Sequence, residues 1–364
     1  MASGRFQRGA SLRVSDFDFD LPARLIAQFP PEERGSSKLM RLDRQTGDVA
    51  HGAFADLPRW LRRGDLLVVN DTKVFPARLL GRREPGGGAV ECLLLSRTTP
   101  PAASAAAEEW RALVSPGSRV SPGTRLVFER DGVRLDGEVV ERAASARLVR
   151  LSTLDGTPVM EAVERLGHVP LPPYIKRADA ASDHDRYQTV YARHSGSIAA
   201  PTAGLHFTPA TFQALAAAGV ERTSITLHVG YGTFQPVRVE HVEEHRMASE
   251  HYEVGAEAAD ALTRALAEGR RIVAVGTTTT RTLESLPIEH GRVAAGRGDT
   301  ALFISPGFRF RLVSGLVTNF HVPRSSLLML VSAFAGVDHV REAYAQAVAA
   351  EYRFYSYGDA MLVL

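Results

Sequence analysis

Apolar positions along this chain fall into two rhythms, and the change between them divides it. From Leu66 the apolar runs are short: LLVVN, VECLLL, WRALV, TRLVFE and ARLVRL, separated by Gly, Pro and polar turns. Such closely punctuated runs read as β-strands. A set of short strands favours a small antiparallel barrel, because closing the sheet leaves no exposed edge. Its expected limits are residues 75–155, Phe75 to Asp155, and TTPPAASAAAEE within it reads as a solvated loop between two strands. Beyond Gly156 strands and helices alternate. Helices are expected around Pro158–Leu166, Pro209–Ala218 and Ala256–Glu268, and a strand at Ser224–Val229. RIVAVG is then a strand running into TTTTRTLESL as a helix, and LFISP, LVTNF and MLVSAF continue the alternation. That order predicts an α/β domain with many parallel strands, barrel-like in its closure. The β segment is then an insertion into a discontinuous α/β domain made of residues 16–74 and 156–364. Residues 1–15 lack apolar patterning and are expected to be a disordered tail. FDFDLPARLIAQFPPEERGSSKLM reads as a short helix ended by Pro30 and Pro31.

Composition narrows the setting. With 364 residues, 45% hydrophobic and 23% charged, the chain can bury two cores. The single cysteine, Cys92, excludes an intramolecular disulfide and a thiolate zinc site, which fits a cytoplasmic location. No apolar stretch follows Arg5, Arg8 and Arg13, and none approaches the roughly 18 residues that span a membrane. Neither secretion nor a membrane partner is expected. A net charge of +2 permits an RNA partner without arguing for one. Lys38, Lys73 and Lys176 are the only lysines, but a chain this rich in Arg, Ala, Gly and Pro owes its arginines to composition more than to phosphate recognition.

Five clusters carry the chemistry: NDTKVFPARL (70–79), APTAGLHFT (200–208), ITLHVGYGTFQPV (225–237), VGTTTTRTLES (275–285) and TNFHVPRSSLLML (318–330). Each sets polar residues beside a strand, and in α/β sheets ligands bind where strands end, so these loops are expected to face one site. Gly276 to Arg281 puts a glycine and four hydroxyls between strand and helix, where free N–H groups attract anions. Thr277 and Thr278 there are either helix caps or anion contacts. Arg281 in the first helical turn opposes the helix dipole, which calls for an outside anion or a carboxylate partner. His206, His228 and His321 are candidates for proton transfer or metal ligation, although their spacing matches no helix-based zinc motif. Gly230 and Gly232 flank Tyr231, suiting close backbone approach to a planar ligand or a bulged strand end. Glu243 to Val254, EEHRMASEHYEV, alternates acids and histidines and reads equally as a solvated turn. There is no G-x-G-x-x-G nucleotide loop, no phosphate loop ending in Gly-Lys-Ser/Thr and no G-x-S-x-G.

Taken together these clusters resemble the S-adenosylmethionine:tRNA ribosyltransferase-isomerase family. The resemblance starts at FDFDLPARLIAQFP, passes through LPPYIKR, DRYQTVYARHSGSIAAPTAGLHF and EEHRM, and ends at EYRFYSYGDAMLVL, nearly the whole chain. Two positions depart from the family pattern: Ile198 interrupts a run of small residues, and Tyr231 stands where leucine is frequent. The resemblance implies an α/β barrel-like domain carrying a small β-barrel insertion. It implies S-adenosylmethionine as a consumed ribosyl donor, with no cofactor and no metal, and tRNA bearing 7-aminomethyl-7-deazaguanine at the wobble position as acceptor. Epoxyqueuosine, adenine and methionine would be the products, and no protein partner is required. On this reading His206, His228 and His321 are the candidates for proton transfer. Thr277, Thr278 and Arg281 form the anion site, with Thr202, Asn319, Gly230 and Gly232 as further substrate contacts, and Arg78, Arg82 and Arg83 either contact RNA phosphates or decorate a solvated strand. The rival classes are a metal-dependent hydrolase built on the three histidines and a non-catalytic RNA-binding protein.

Overall fold

The computed structural model describes residues 12–98, 105–143, 146–234 and 236–364. A nine-stranded mixed sheet forms the larger unit. In order across it the strands are Gly296–Thr300, Glu250–Val254, Glu221–Leu227, Leu66–Asn70, Ile272–Val275, Gly315–Asn319, Ala360–Val363, Lys38–Leu42 and Val49–Ala53. The four in the middle, from Glu221–Leu227 to Gly315–Asn319, are mutually parallel, so their carboxyl ends share one edge. Leu66–Asn70, Ile272–Val275 and Gly315–Asn319 are buried at every position, which is why they read as unbroken apolar runs and not as alternations. Alternate residues feed two cores. Leu66, Val68, Ile272, Ala274 and Leu316 pack under helices Ala256–Ala267, Ser326–Ala335 and Val337–Ala349. Leu67, Val69, Val273, Val275 and Val317 pack with Leu57, Phe207 and Leu215 on the opposite face. The helices begin where their sequences permit: Thr208 accepts the Thr211 N–H ahead of Pro209 in the first turn of Pro209–Ala217, and Ser325 accepts the Leu328 N–H.

Between Arg78 and Ser152 six antiparallel strands close into a barrel. Its core holds Leu79, Cys92, Leu94, Ala112, Phe128, Val139 and Val149, and burial pushes the Cys92 thiol up to about 12. At Gly81 an added Cβ would lie 2.2 Å from the Val127 carbonyl oxygen, a strand contact that only glycine permits. Arg78 and His168 exchange backbone hydrogen bonds, which stitches the barrel to the larger unit. An α/β unit with an inserted antiparallel barrel is the architecture expected from the sequence, but the barrel-like closure expected of the α/β unit is not found: its sheet runs open from Gly296–Thr300 to Val49–Ala53.

Several local expectations change. The helix expected after Phe17 is replaced by single 3₁₀ turns at Val14–Phe17 and Ala23–Leu25, since Pro22, Pro30 and Pro31 leave no run long enough to propagate. Leu12 to Ser15, assigned to the tail, are placed: Val14 is buried and Arg13 bridges to His241. The rest of that tail, and residues 99–104 of the expected TTPPAASAAAEE loop, lie outside the described residues. LFISP forms no strand. The strand there is Gly296–Thr300, while the Leu302 carbonyl accepts from Arg281. MLVSAF lies within helix Ser326–Ala335. Among the described residues no helix is long and apolar enough to cross a membrane.

Candidate active site

A cavity of about 430 Å³ opens at the carboxyl edge of the parallel strands. Four motif loops build it: Ala199 to Ala203, Val229 with Pro236 and Val237, Gly276 to Thr278, and Thr318 to Ser325. Thr202, Thr277, Thr278, Asn319 and His321 therefore come together as the sequence proposed. At its corner Gly276 adopts φ +92°, a backbone that side chains resist, and turns strand Ile272–Val275 directly into helix Thr277–Ser285. That helix has no side-chain cap, so the first-turn N–H groups of its N-terminus face the cavity beside Thr277 and Thr278. The four threonines divide their work. Thr279 and Thr280 are fully buried and donate back to Val275 and Gly276 carbonyls, leaving Thr277 and Thr278 for the cavity.

Asn319 ends strand Gly315–Asn319 with 2% exposure. Its Nδ2 donates to His206 Nε2 and to the Tyr355 carbonyl, both at 3.1 Å, while Oδ1 is buried with no partner. A buried amide oxygen without a donor is costly. Asn319 lines the cavity wall, but this oxygen is itself sealed from it. His321 lines the same wall, with Nε2 2.9 Å from Thr318 Oγ1 and its backbone N–H donating to Tyr344 Oη. Burial lowers its imidazole to about 3, so it is neutral at physiological pH. Sequence reasoning missed the aromatic wall. Tyr174 and Tyr355 stack at 3.6 Å between ring centroids, and Tyr174 is 2.5 Å from Ser356 through their hydroxyls. The aromatic density of EYRFYSYGD was the available signal, but its partner lies 181 positions earlier in LPPYIKR. Arg324, on the cavity rim and paired with Asp18, was missed too.

The remaining expected residues are elsewhere. His206 is buried behind Asn319, where Nδ1 meets Ser37 Oγ at 2.9 Å and the ring packs on Phe54. Burial, with smaller contributions from Arg353 and Arg34, lowers it to about 3. It positions Asn319 instead of facing the cavity. His228 lies outside the cavity lining, bonded through Nδ1 to Thr72 Oγ1 at 2.8 Å, and burial lowers its pKa. Among the described residues no three His, Cys, Asp or Glu side chains gather as a metal site, and of the three histidines His321 alone lines the cavity. Arg281 is corrected most sharply. Its anion is internal: Nη1 lies 2.5 Å from Glu250 Oε2, both side chains are about 5% exposed or less, and Nε donates to the Leu302 carbonyl. Glu250 Oε1 accepts the Gly230 N–H, and a Cβ added at Gly232 would lie 3.1 Å from the Ala248 Cβ, a tight contact. Arg78 and Arg82 already hold carboxylate partners within the barrel. Arg78 forms a two-pronged pair with Glu91, Arg82 pairs with Glu129 and Glu84, and Arg83 donates to the Arg119 carbonyl.

Comparison with known proteins places the chain in a family. The profile of the family described as "Queuosine biosynthesis protein" matches residues 14–363. S-adenosylmethionine:tRNA ribosyltransferase-isomerases of Desulfitobacterium hafniense and Anaeromyxobacter sp. are 49% and 53% identical over 97% of this chain and 100% and 99% of their own lengths. The crystal structure of S-adenosylmethionine tRNA ribosyltransferase from Thermotoga maritima is 38% identical, covers 96% of this chain and 100% of its own, and superposes with a TM-score of 0.53. With a profile spanning both units and relatives near half identity at full length, the chain belongs to the S-adenosylmethionine:tRNA ribosyltransferase-isomerase family of queuosine biosynthesis.

Proposed function

We infer that this chain moves and isomerises the ribosyl group of S-adenosylmethionine onto 7-aminomethyl-7-deazaguanine in the wobble position of tRNA, releasing adenine and methionine and leaving epoxyqueuosine. The observation that carries this reading is the 430 Å³ cavity, within the range of about 300–1,000 Å³ usual for small-molecule sites, with one aromatic wall and one hydrogen-bonding wall. A sulfonium nucleoside has matching parts. The first turn of Thr277–Ser285 suits the methionine carboxylate, through N–H groups and the Thr277 and Thr278 hydroxyls. The Tyr174–Tyr355 stack offers a face to a purine.

The sulfonium acidifies the ribose 5′ hydrogens, so a base can form an ylide there. Adenine then leaves, the aminomethyl nitrogen attacks, and the epoxide closes as methionine departs. His321 is the histidine positioned for proton transfer in this scheme. It enters neutral, and once protonated its low pKa makes it a strong acid toward the departing adenine. No metal or further cofactor is required, and a tRNA substrate assigns the work to the cytoplasm. The test is incubation of the protein with S-adenosylmethionine and tRNA carrying the aminomethyl base, followed by nucleoside analysis. Adenine and methionine are expected together, only with that tRNA; a methylated tRNA product or absence of adenine overturns the reading.

A further inference from the structure

A second recess of about 400 Å³ lies where the barrel meets the α/β unit. Its barrel wall is made from outward-facing positions: Glu91 and Leu93 alternate with the core residues Cys92 and Leu94, and Leu93 pairs across the ladder with Leu113. An outward-facing Leu–Leu pair on a barrel is unusual unless something covers it. The opposing wall draws on three chain segments that also contribute to the donor cavity. Tyr174, Ala199 and Val229 face the cavity, while their neighbours Ile175, Ile198 and Tyr231 face the recess. The two spaces are thus separated by one shared wall, and the two positions that depart from the family pattern, Ile198 and Tyr231, both line the recess.

Resting on the functional reading above, we propose that this recess holds the acceptor nucleobase, unstacked from the tRNA anticodon loop and set beside the donor. A transfer between two nucleosides needs two adjoining slots, and a base removed from its stack needs apolar or aromatic surface, which Leu93, Leu113, Ile198 and Tyr231 supply. The polar edge is chemically specific. A guanine-type base presents two parallel N–H donors, and a carboxylate is their complement. Glu91 stands in the recess wall, its two oxygens fixed by Arg78 at 2.8 and 2.9 Å, each with a further lone pair to offer. Arg78 therefore orients the carboxylate that reads the base and is not itself the phosphate contact.

Three variants test this: Leu113→Trp, which fills the recess from a half-buried outward position, Tyr231→Ala, which removes its aromatic face, and Glu91→Gln, which keeps size but loses the paired acceptors. In each, KM for precursor-bearing tRNA is expected to rise about tenfold or more, the loss typical of one stacked or doubly bonded base. The dissociation constant for S-adenosylmethionine, measured by calorimetry without tRNA, is expected to stay within about twofold, which also reports an intact fold. Parental KM in all three, with an active parent, overturns the recess as the acceptor slot while leaving the functional reading in place. Loss of donor affinity in Leu113→Trp with parental KM in the other two also overturns it. A parent protein that binds donor but leaves this tRNA unmodified overturns the functional reading and this proposal together.

Discussion

His206 accepts the Asn319 amide N–H across 3.1 Å from outside the cavity, and this contact fixes the orientation of the amide. With Nε2 accepting, the imidazole proton sits on Nδ1 and is donated to Ser37 Oγ. His206→Phe retains the ring packing against Phe54 but removes both hydrogen bonds. It should destabilise the fold by about 1–3 kcal/mol in denaturant titration. It should also weaken S-adenosylmethionine binding, because Asn319 is then free to turn. Parental donor affinity in that variant would mean that Asn319 does not contact the donor.

Arg281 and Glu250 should behave as a structural pair. Arg281→Ala leaves a buried carboxylate without its cation, a loss of about 3–5 kcal/mol. Replacing both, as Arg281→Met with Glu250→Leu, should recover part of that stability. Urea denaturation of the two single variants and the double variant checks this; additive losses would show that the two residues are not coupled.

His321→Gln should lower the single-turnover rate while donor affinity stays near parental, since glutamine keeps hydrogen bonding but not proton transfer. His228→Gln should turn over at the parental rate, because His228 bonds Thr72 outside the cavity. Rapid-quench measurement of adenine release distinguishes them, and the reverse pattern would move the acid/base role to His228.

Acidification should cost stability over a defined window. His206 and His321 both titrate near 3 in the fold, against about 6.5 when unfolded. Their contribution is complete above pH about 6.5 and declines toward pH 3, because only the unfolded chain takes up these protons there. Each group contributes up to about 1.4 kcal/mol per pH unit in that range. Unfolding free energies at pH 7 and pH 5 should therefore differ more in the parent than in His206→Phe.

Arg82→Ala should leave tRNA affinity and its salt dependence unchanged, because its charge is spent on Glu129 and Glu84. A shallower salt slope in filter binding would show that the arginine reaches a phosphate after all. Turnover should also survive exhaustive chelation.

The sequence by itself determined most of the strand and helix rhythm, the place of the barrel and the opening of the loops that hold Thr202, Thr277, Thr278, Asn319 and His321 onto one cavity. These follow from local pattern, because a loop that ends a parallel strand must open on the sheet's carboxyl edge whichever strand it follows. Tertiary structure decided the rest. Whether Arg281 meets a ligand or Glu250 depends on a strand beginning 31 residues earlier in the chain. The identity of the His206 partner depends on a separation of 113 residues, and the Tyr174–Tyr355 wall on one of 181. Charge and aromaticity are visible in a sequence. The partner that consumes them is set by packing between distant segments, so residue type revealed which groups can do chemistry, and burial revealed which of them are already engaged.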